Sequence, residues 1–144
     1  EFQTYIKNVL ANAKMLAETL KNNGFKIYSG GTDTHLMLVD LRPFGVKGNI
    51  ASESLCRANI TCNKNGIPFD TEKPMITSGI RLGSQAATTR GFGLKEFEKV
   101  GELITRVIKG LSENPEDNSK VENEVRQEVI NLCSNFPIYK NLNK

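Results

Sequence analysis

The sequence has few of the residues that build metal centres or disulfide frameworks. It contains one histidine, His35, and three cysteines, Cys56, Cys62 and Cys133, at irregular spacings. Zinc sites need ligands in closely spaced pairs, and no CxxC pair is present, so the sequence argues against a bound metal. An odd, irregular set of cysteines is typical of reduced thiols, and we therefore expect a cytoplasmic protein.

Long apolar runs and a strong charge of one sign are also missing. No stretch approaches the roughly 18 apolar residues of a membrane span, so we expect no membrane segment. The 19 Lys and Arg residues oppose 16 Asp and Glu residues, and the formal net charge of +3 is too small to indicate nucleic-acid binding. A length of 144 residues with 38% hydrophobic residues is typical of one globular domain with its own core.

The common catalytic motifs are absent as well. Neither GxGxxG nor GxxxxGKS follows Gly30-Gly31, so no phosphate-binding loop is predicted. There is no GxSxG elbow, and no nucleophile is paired with a base. Composition and spacing alone therefore do not reveal an enzyme.

Hydrophobic periodicity predicts a long first helix. Apolar residues recur in steps of three and four from Phe2 to Leu20, and Asn22-Asn23-Gly24 is a typical helix end. No capping residue precedes Phe2, although the apolar pattern is already complete there. Either the helix continues from a longer chain, or the sequence begins at an expression boundary in a loose terminus.

The remaining pattern mixes a few strands with further helices, which favours a small α+β domain. Strands are predicted at Phe25–Tyr28, His35–Leu41, Ile60–Cys62, Met75–Thr77 and Gly79–Leu82. Helices are predicted at Asn49–Asn59, Leu94–Leu111 and Val121–Ser134, and Asn63–Pro74 is predicted to be a polar loop.

The centre of the chain, Thr61–Gly91, holds the candidate binding residues. Arg81 lies between Gly79 and Gly83, which leave room for a ligand, and its planar guanidinium suits a carboxylate or phosphate. It is equally consistent with an exposed strand arginine whose stem covers apolar surface. The amides of Asn63 and Asn65 suit a planar heterocycle, or they simply hold a turn.

Several long stretches in this order resemble the C-terminal part of serine hydroxymethyltransferases, a pyridoxal-phosphate family with the aspartate-aminotransferase fold. The stretches are Tyr28–Leu36, Arg57–Asn65 and Thr77–Gly83, and the family's first helix matches at Tyr5 and Asn12-Ala13. The resemblance extends from Glu1 to about Tyr139. It implies an α+β domain with a small, largely antiparallel sheet covered by helices.

The resemblance also implies a reaction: a homodimer interconverts serine plus tetrahydrofolate with glycine plus 5,10-methylenetetrahydrofolate, using pyridoxal 5'-phosphate. Arg81 matches the arginine that binds the substrate carboxylate. Asn65 matches a contact to the folate ring system, and Lys73, Pro74 and Met75 match a segment that lines the folate site. Bacterial members often have Ser-Pro-Phe in that segment, so only Pro74 agrees with that version.

The family's Schiff-base lysine lies in a Thr-rich His-Lys motif that this sequence does not contain. We therefore expect no catalytic, cofactor-binding or metal-binding residue in this chain, and no bound pyridoxal phosphate. The resemblance divides the chain into a connector helix from the large domain (residues 1–24) and the C-terminal small domain (residues 25–144).

Two other hypotheses remain open at this point. The same fold could serve as an independent module that binds a small molecule. It could also be a non-enzymatic interaction domain whose Asn- and Gly-rich centre docks a protein. A neighbouring region with the lysine motif would favour the enzyme over both.

Overall fold

The computed structural model describes residues 2–30, 33–83, 88 and 91–136. These residues form four helices, α1 (Phe2–Asn22), α2 (Gly48–Arg57), α3 (Leu94–Glu113) and α4 (Ser119–Ser134), and a short 3₁₀ helix at Arg42–Phe44. The strands are β1 (Lys26–Gly30), β2 (Asp33–Asp40), β3 (Asn63–Asn65) and β4 (Gly79–Gly83). They form one antiparallel sheet in the order β1-β2-β4-β3, which confirms the predicted α+β class.

The helices cover one face of the sheet. Alternate side chains of β2 and β4 are buried in a single core with residues of α1 and α3, namely Met37, Val39, Ile80, Leu82, Leu16, Leu20, Phe97, Ile104 and Ile108. Because strand side chains alternate between faces, the residues between these positions lie on the opposite face, away from the helices. That face carries the polar residues of the candidate site.

Helix α1 follows its predicted extent and ends as expected, with Gly24 in the left-handed region at φ +100°. Its buried face is narrower than the predicted stripe, because Ile6 and Leu10 remain 39% and 40% exposed. The amide of the buried Asn12 donates to Thr88 Oγ1 at 2.9 Å and to the carbonyl oxygen of Phe92 at 3.0 Å. This contact ties α1 to the segment that follows β4.

No described helix is both long and apolar enough to cross a bilayer.

Helix α4 is held by a buried carboxylate. Glu122 accepts a hydrogen bond from the Ser54 hydroxyl and two, each of 2.9 Å, from the Arg57 guanidinium. Asn118, just before α4, donates to Ser54 Oγ and to the Val107 carbonyl. Burial raises the pKa of Glu122, but the hydrogen bonds from Arg57 and Ser54 outweigh it and lower the pKa below its usual value.

Two strand predictions were wrong. The strand near residue 62 is Asn63–Asn65 rather than Ile60–Cys62. The first three residues of the predicted polar loop therefore form β3, an edge strand that pairs with β4. Polar residues are tolerated there because one edge and one face meet water. Met75–Thr77 is a turn instead of a strand, since the amides of Ile76 and Thr77 both donate to the Lys73 carbonyl oxygen.

Candidate carboxylate and folate site

A row of four side chains crosses the face of the sheet that points away from the helices. The register places Tyr28, Leu38, Arg81 and Asn63 side by side on β1, β2, β4 and β3. Directly opposed residues of antiparallel strands project to the same face. Arg81 and Asn63 are exposed at the β3 end of this row, so they present their polar groups to the same volume of solvent.

The backbone of Arg81 is held by its buried neighbours, whereas its side chain is exposed and forms no ion pair among the described residues. The flanking Ile80 and Leu82 are buried in the core, as predicted from the alternation, while Arg81 itself is exposed. No carboxylate forms an ion pair with Arg81 in the described parts of the chain. By contrast, Arg42 and Arg57 pair with Asp40 and Glu122. The guanidinium of Arg81 is therefore an unneutralised planar group that can bind an anion, on a strand whose backbone is held by its neighbours.

A cleft of about 500 Å³ begins beside Arg81. Its walls come from the ends of β3 and β4, from the residues that precede β3, and from α1 and α3. The lining is mostly apolar with a few polar residues, and includes Leu16, Ile60, Thr61, Cys62, Asn63, Arg81, Leu82, Phe97 and Val100. A largely apolar cleft with a few polar groups is the usual form of a small-molecule site.

Asn65 lies two residues from Asn63 on the same edge strand, opposite Gly79. Its side-chain amide donates to the Gly66 carbonyl oxygen at 3.0 Å, which orients the amide at the start of the following loop. Glycine is required at position 79, where β4 passes between β2 and β3. A Cβ on it would lie 2.8 Å from the Val39 carbonyl oxygen and 2.8 Å from Ile67 Cγ2, too close for any side chain.

The loop between β3 and β4, residues 66–78, is organised by Asp70. This carboxylate accepts hydrogen bonds from the amides of Ile67, Glu72 and Ser78 and from the Ser78 hydroxyl, at 2.8–3.2 Å. It thereby joins the second residue of the loop, Ile67, to the last, Ser78. Although desolvation raises the pKa of Asp70, these hydrogen bonds lower it to about 2.

Asp70 was not among the residues singled out from the sequence. The available signal was its place in Gly66-Ile67-Pro68-Phe69-Asp70, because aspartate next to Gly and Pro commonly accepts hydrogen bonds from nearby backbone amides. Such a pattern predicts a turn, but it does not reveal that the same carboxylate reaches Ser78, eight residues along the chain.

The start of α2 packs closely on the far end of this loop. The Gly48 amide donates to the Thr77 carbonyl oxygen at 3.0 Å, and the Asn49 amide donates to that of Ile76 at 2.9 Å. Thr77 has φ +60°, and its hydroxyl donates to the Gly79 carbonyl oxygen at 3.0 Å. These contacts fix the backbone that leads into β4 and therefore fix the position of Arg81.

The three other predicted folate residues lie on the same loop. Lys73, Pro74 and Met75 are all exposed, and the Lys73 carbonyl oxygen closes the turn that they form. Asn65 thus directly precedes the Asp70-held loop, and residues 73–75 lie within it. Arg81 follows on the strand that this loop enters.

Comparison with known proteins identifies the class to which this fold and site belong. The family model for serine hydroxymethyltransferase matches residues 1–104, and the chain belongs to that family. Among its curated relatives is serine hydroxymethyltransferase of Pelagibacter ubique, which is 85% identical over 142 residues, covering 99% of this chain and 33% of the relative. The enzyme of the same name from a Marinomonas species is 65% identical over 140 residues, covering 97% of this chain and 33% of the relative. The chain therefore spans about a third of the length of these relatives.

Proposed function

We propose that this chain forms part of a serine hydroxymethyltransferase, in which it binds the amino-acid carboxylate and one side of the folate. The full reaction transfers the hydroxymethyl carbon of serine to tetrahydrofolate, giving glycine and 5,10-methylenetetrahydrofolate. The observation that carries the proposal is Arg81, an exposed arginine without an ion pair among the described residues, on a strand that lines the cleft and whose other face is anchored in the core.

Arg81 would act by binding and orienting the amino acid. Serine and glycine share an α-carboxylate, which a guanidinium binds through two parallel hydrogen bonds. Such a pair fixes the direction of the Cα–Cβ bond of serine relative to the sheet. Because the backbone of β4 is held on both sides by β2 and β3, the point from which the Arg81 side chain extends is set before the substrate arrives.

Asn65 and residues 73–75 would bind the folate. An amide can donate to one position and accept from another on the edge of a pteridine, and the bond to Gly66 keeps the Asn65 amide in place. Lys73 and Met75 add a cation and an apolar group on the exposed side of the loop. The co-substrate would then approach the amino acid from the side of the β3–β4 loop.

Pyridoxal phosphate supplies the electron sink for this chemistry when bound. The described residues do not fit its attachment, which needs a desolvated lysine. Every described lysine is exposed except the half-buried Lys99, and that amine forms an ion pair with Glu128 at 2.8 Å. The cofactor would therefore be held by other parts of the complete enzyme.

The division of the chain remains part of the proposal. Residues 1–24 would connect the cofactor-binding domain to the small domain of residues 25–144. The second half of α1 shares the core with the sheet, whereas Ile6 and Leu10 are exposed and available for a neighbouring domain. A cytoplasmic homodimer is the expected form of the complete enzyme.

The test is to replace Arg81 by Lys and by Ala in the complete enzyme and to measure serine and glycine affinity together with the thermal midpoint. Losing a bidentate pair in a partly desolvated site costs about 2–5 kcal/mol. We therefore expect amino-acid binding to weaken about a hundredfold or more in both variants. Lysine should not rescue it, since it keeps the charge but loses the fork.

Arg126 provides the matched control, because it is also exposed but lies on α4, away from the cleft. Arg126→Lys should bind serine normally. Near-normal serine affinity in both Arg81 variants would reduce Arg81 to a solvated strand residue. A large fall in thermal midpoint with the cofactor still bound would mean that its role is structural.

A further inference from the structure

The β3–β4 loop holds an aromatic residue in a conformation that aromatic residues rarely adopt. Residues Ile67-Pro68-Phe69-Asp70 form a tight turn, closed by the Asp70 amide donating to the Ile67 carbonyl oxygen at 3.0 Å. Pro68 occupies the second position and Phe69, with φ +58°, the third. Proline followed by a left-handed residue is the pattern of a type II turn, which ordinarily has Gly or Asn at the third position.

The fold gains nothing visible from a phenylalanine at this position. The side chain is 98% exposed, so it contributes no burial to the core. A bulky residue in the left-handed region is strained relative to Gly or Asn, and such strain is commonly found where a site needs it. Phe69 is therefore unfavourable for the turn and unused by the domain itself, which points to a role in binding.

The turn is also rigid, which makes it a suitable platform. Asp70, the next residue, is fixed by the amides of Ile67, Glu72 and Ser78. An aromatic ring on a fixed backbone has only its two side-chain torsions to lose on binding, so little entropy opposes a contact.

The neighbours of Phe69 on the loop indicate what would cover the ring. Asn65 lies four residues before it, and Met75, which is 79% exposed, lies six residues after it. The exposed Lys73 has no ion pair within the described residues. One loop therefore carries a flat ring, a polarisable thioether and an unpaired cation. These groups suit a flat aromatic ligand that ends in carboxylates.

We propose that Phe69 is a further binding residue of the folate site, stacking on a planar ring of tetrahydrofolate. Met75 would contact the same ring, and Lys73 would face the glutamate carboxylates. This inference rests on the proposed function, since it assigns another contact to the same co-substrate. The residue that suits the turn least would then be the one that contacts the co-substrate.

The experiment uses three variants of the complete enzyme. Phe69→Asn suits the turn but removes the ring, Phe69→Leu keeps an apolar side chain without the ring, and Phe69→Tyr keeps the ring. We expect tetrahydrofolate to bind about tenfold more weakly to the first two and nearly normally to the third. Serine affinity should not change. The thermal midpoint of Phe69→Asn should stay the same or rise, because the strain is relieved.

A matched control is Ile130→Gln, which removes an exposed apolar side chain from α4, far from the loop in sequence. It should leave folate binding unchanged. Normal tetrahydrofolate affinity in Phe69→Asn would overturn the inference while leaving the proposed function intact. A weakened dimer with unchanged folate affinity would also overturn it, assigning Phe69 to a contact between copies. If the unmodified enzyme binds serine but not tetrahydrofolate, the proposed function itself fails.

Discussion

The helical layer and the β3–β4 edge, meaning strands β3 and β4 with the loop between them, differ at several of their charged groups. On the helices, Arg57 pairs with Glu122, and Lys99 and Arg106 both pair with Glu128. On β4 and the β3–β4 loop, Arg81 and Lys73 are exposed with no acidic partner among the described residues, although Glu72 of the same loop pairs with Lys47. The apolar groups differ in the same way, since Val125 and Val129 of α4 are buried while Phe69 and Met75 are exposed.

The difference separates residues that hold the fold from residues that are available to a ligand. In the helical layer, both partners of the Arg57–Glu122 pair belong to this chain, so removing the buried Glu122 should be measured as lost stability. At the sheet edge, the partners would come with the substrate, so substitutions should change binding and leave unfolding nearly unchanged. Asp70 belongs to the first group although it lies within the second region, because all four of its hydrogen bonds are to the loop itself.

The largest effect on stability is expected for Glu122→Ala. Its side chain is only 6% exposed and accepts from both Ser54 and Arg57, so its removal leaves a guanidinium and a hydroxyl without their acceptor. Because Arg57 is itself 58% exposed and can return to water, the cost comes from the lost hydrogen bonds: about 1.5–3 kcal/mol for those from the guanidinium and about 1–3 kcal/mol for the Ser54 hydroxyl left unsatisfied. Urea unfolding of the variant should show this loss, and Glu124→Ala, at an exposed position on the same helix, should change stability by under about 1 kcal/mol. Equal effects would mean that α4 is not anchored through Glu122.

A smaller effect is expected at the contact between α2 and the β3–β4 loop. A Cβ on Gly48 would lie 2.0 Å from Thr77 Oγ1 and 2.5 Å from the Gly79 carbonyl oxygen. Gly48→Ala must therefore push α2 away from the loop, and overpacking of this kind costs about 1–3 kcal/mol. Because the loop leads into β4, the variant of the complete enzyme should also bind serine more weakly.

Gly66→Ala is the control for this substitution, since a Cβ there meets nothing closer than 3.7 Å. Its thermal midpoint should remain near that of the unmodified protein. If Gly48→Ala is equally harmless, the close packing of α2 on the loop is not required for the fold.

The same contrast explains what could be predicted from the sequence. The long helices and β2 and β4 were predicted because their apolar periodicity reflects burial on one core. The α+β class followed from their order. Edge strand β3 was missed because Asn63, Lys64 and Asn65 bury little and carry no strand pattern, and the turn at Met75 is set by hydrogen bonds to the Lys73 carbonyl oxygen.

The candidate site was predicted to a similar extent. The exposure of Arg81 and the burial of its neighbours follow from alternation along a strand, and both were predicted. The roles of Arg81, Asn65 and residues 73–75 came from the resemblance and remain predictions. Asp70 could not be found from local patterns, because its importance depends on a contact across the loop. Two notable segments lie partly outside the described residues: the Ser29–Asp33 turn at residues 31–32, and the Gly83–Gly93 stretch at residues 84–87 and 89–90.

The last prediction concerns Asp70, whose effect should be local to the loop. Asp70→Asn keeps the size of the side chain but puts an NH₂ group where one oxygen accepted hydrogen bonds from backbone amides. Leaving such donors unsatisfied costs about 1–3 kcal/mol.

Because the sequence contains no tryptophan, Phe69→Trp introduces a single fluorescent reporter beside Asp70 in this chain. Adding Asp70→Asn to that variant should increase the mobility of the reporter, measured by fluorescence anisotropy.

The pH dependence of the same reporter gives the sharper version of this test. Desolvation raises the pKa of Asp70, but its four hydrogen bonds lower it to about 2 from the ordinary value of 3.8. A carboxyl whose pKa is lower in the folded state stabilises that state fully above the ordinary pKa and loses the contribution as pH falls towards the folded value. We therefore expect the loop to loosen between about pH 4 and pH 2, as protonation removes the acceptors. The Asp70→Asn background should be mobile at neutral pH and change little over that interval. If both backgrounds respond equally to acid, Asp70 does not hold the loop.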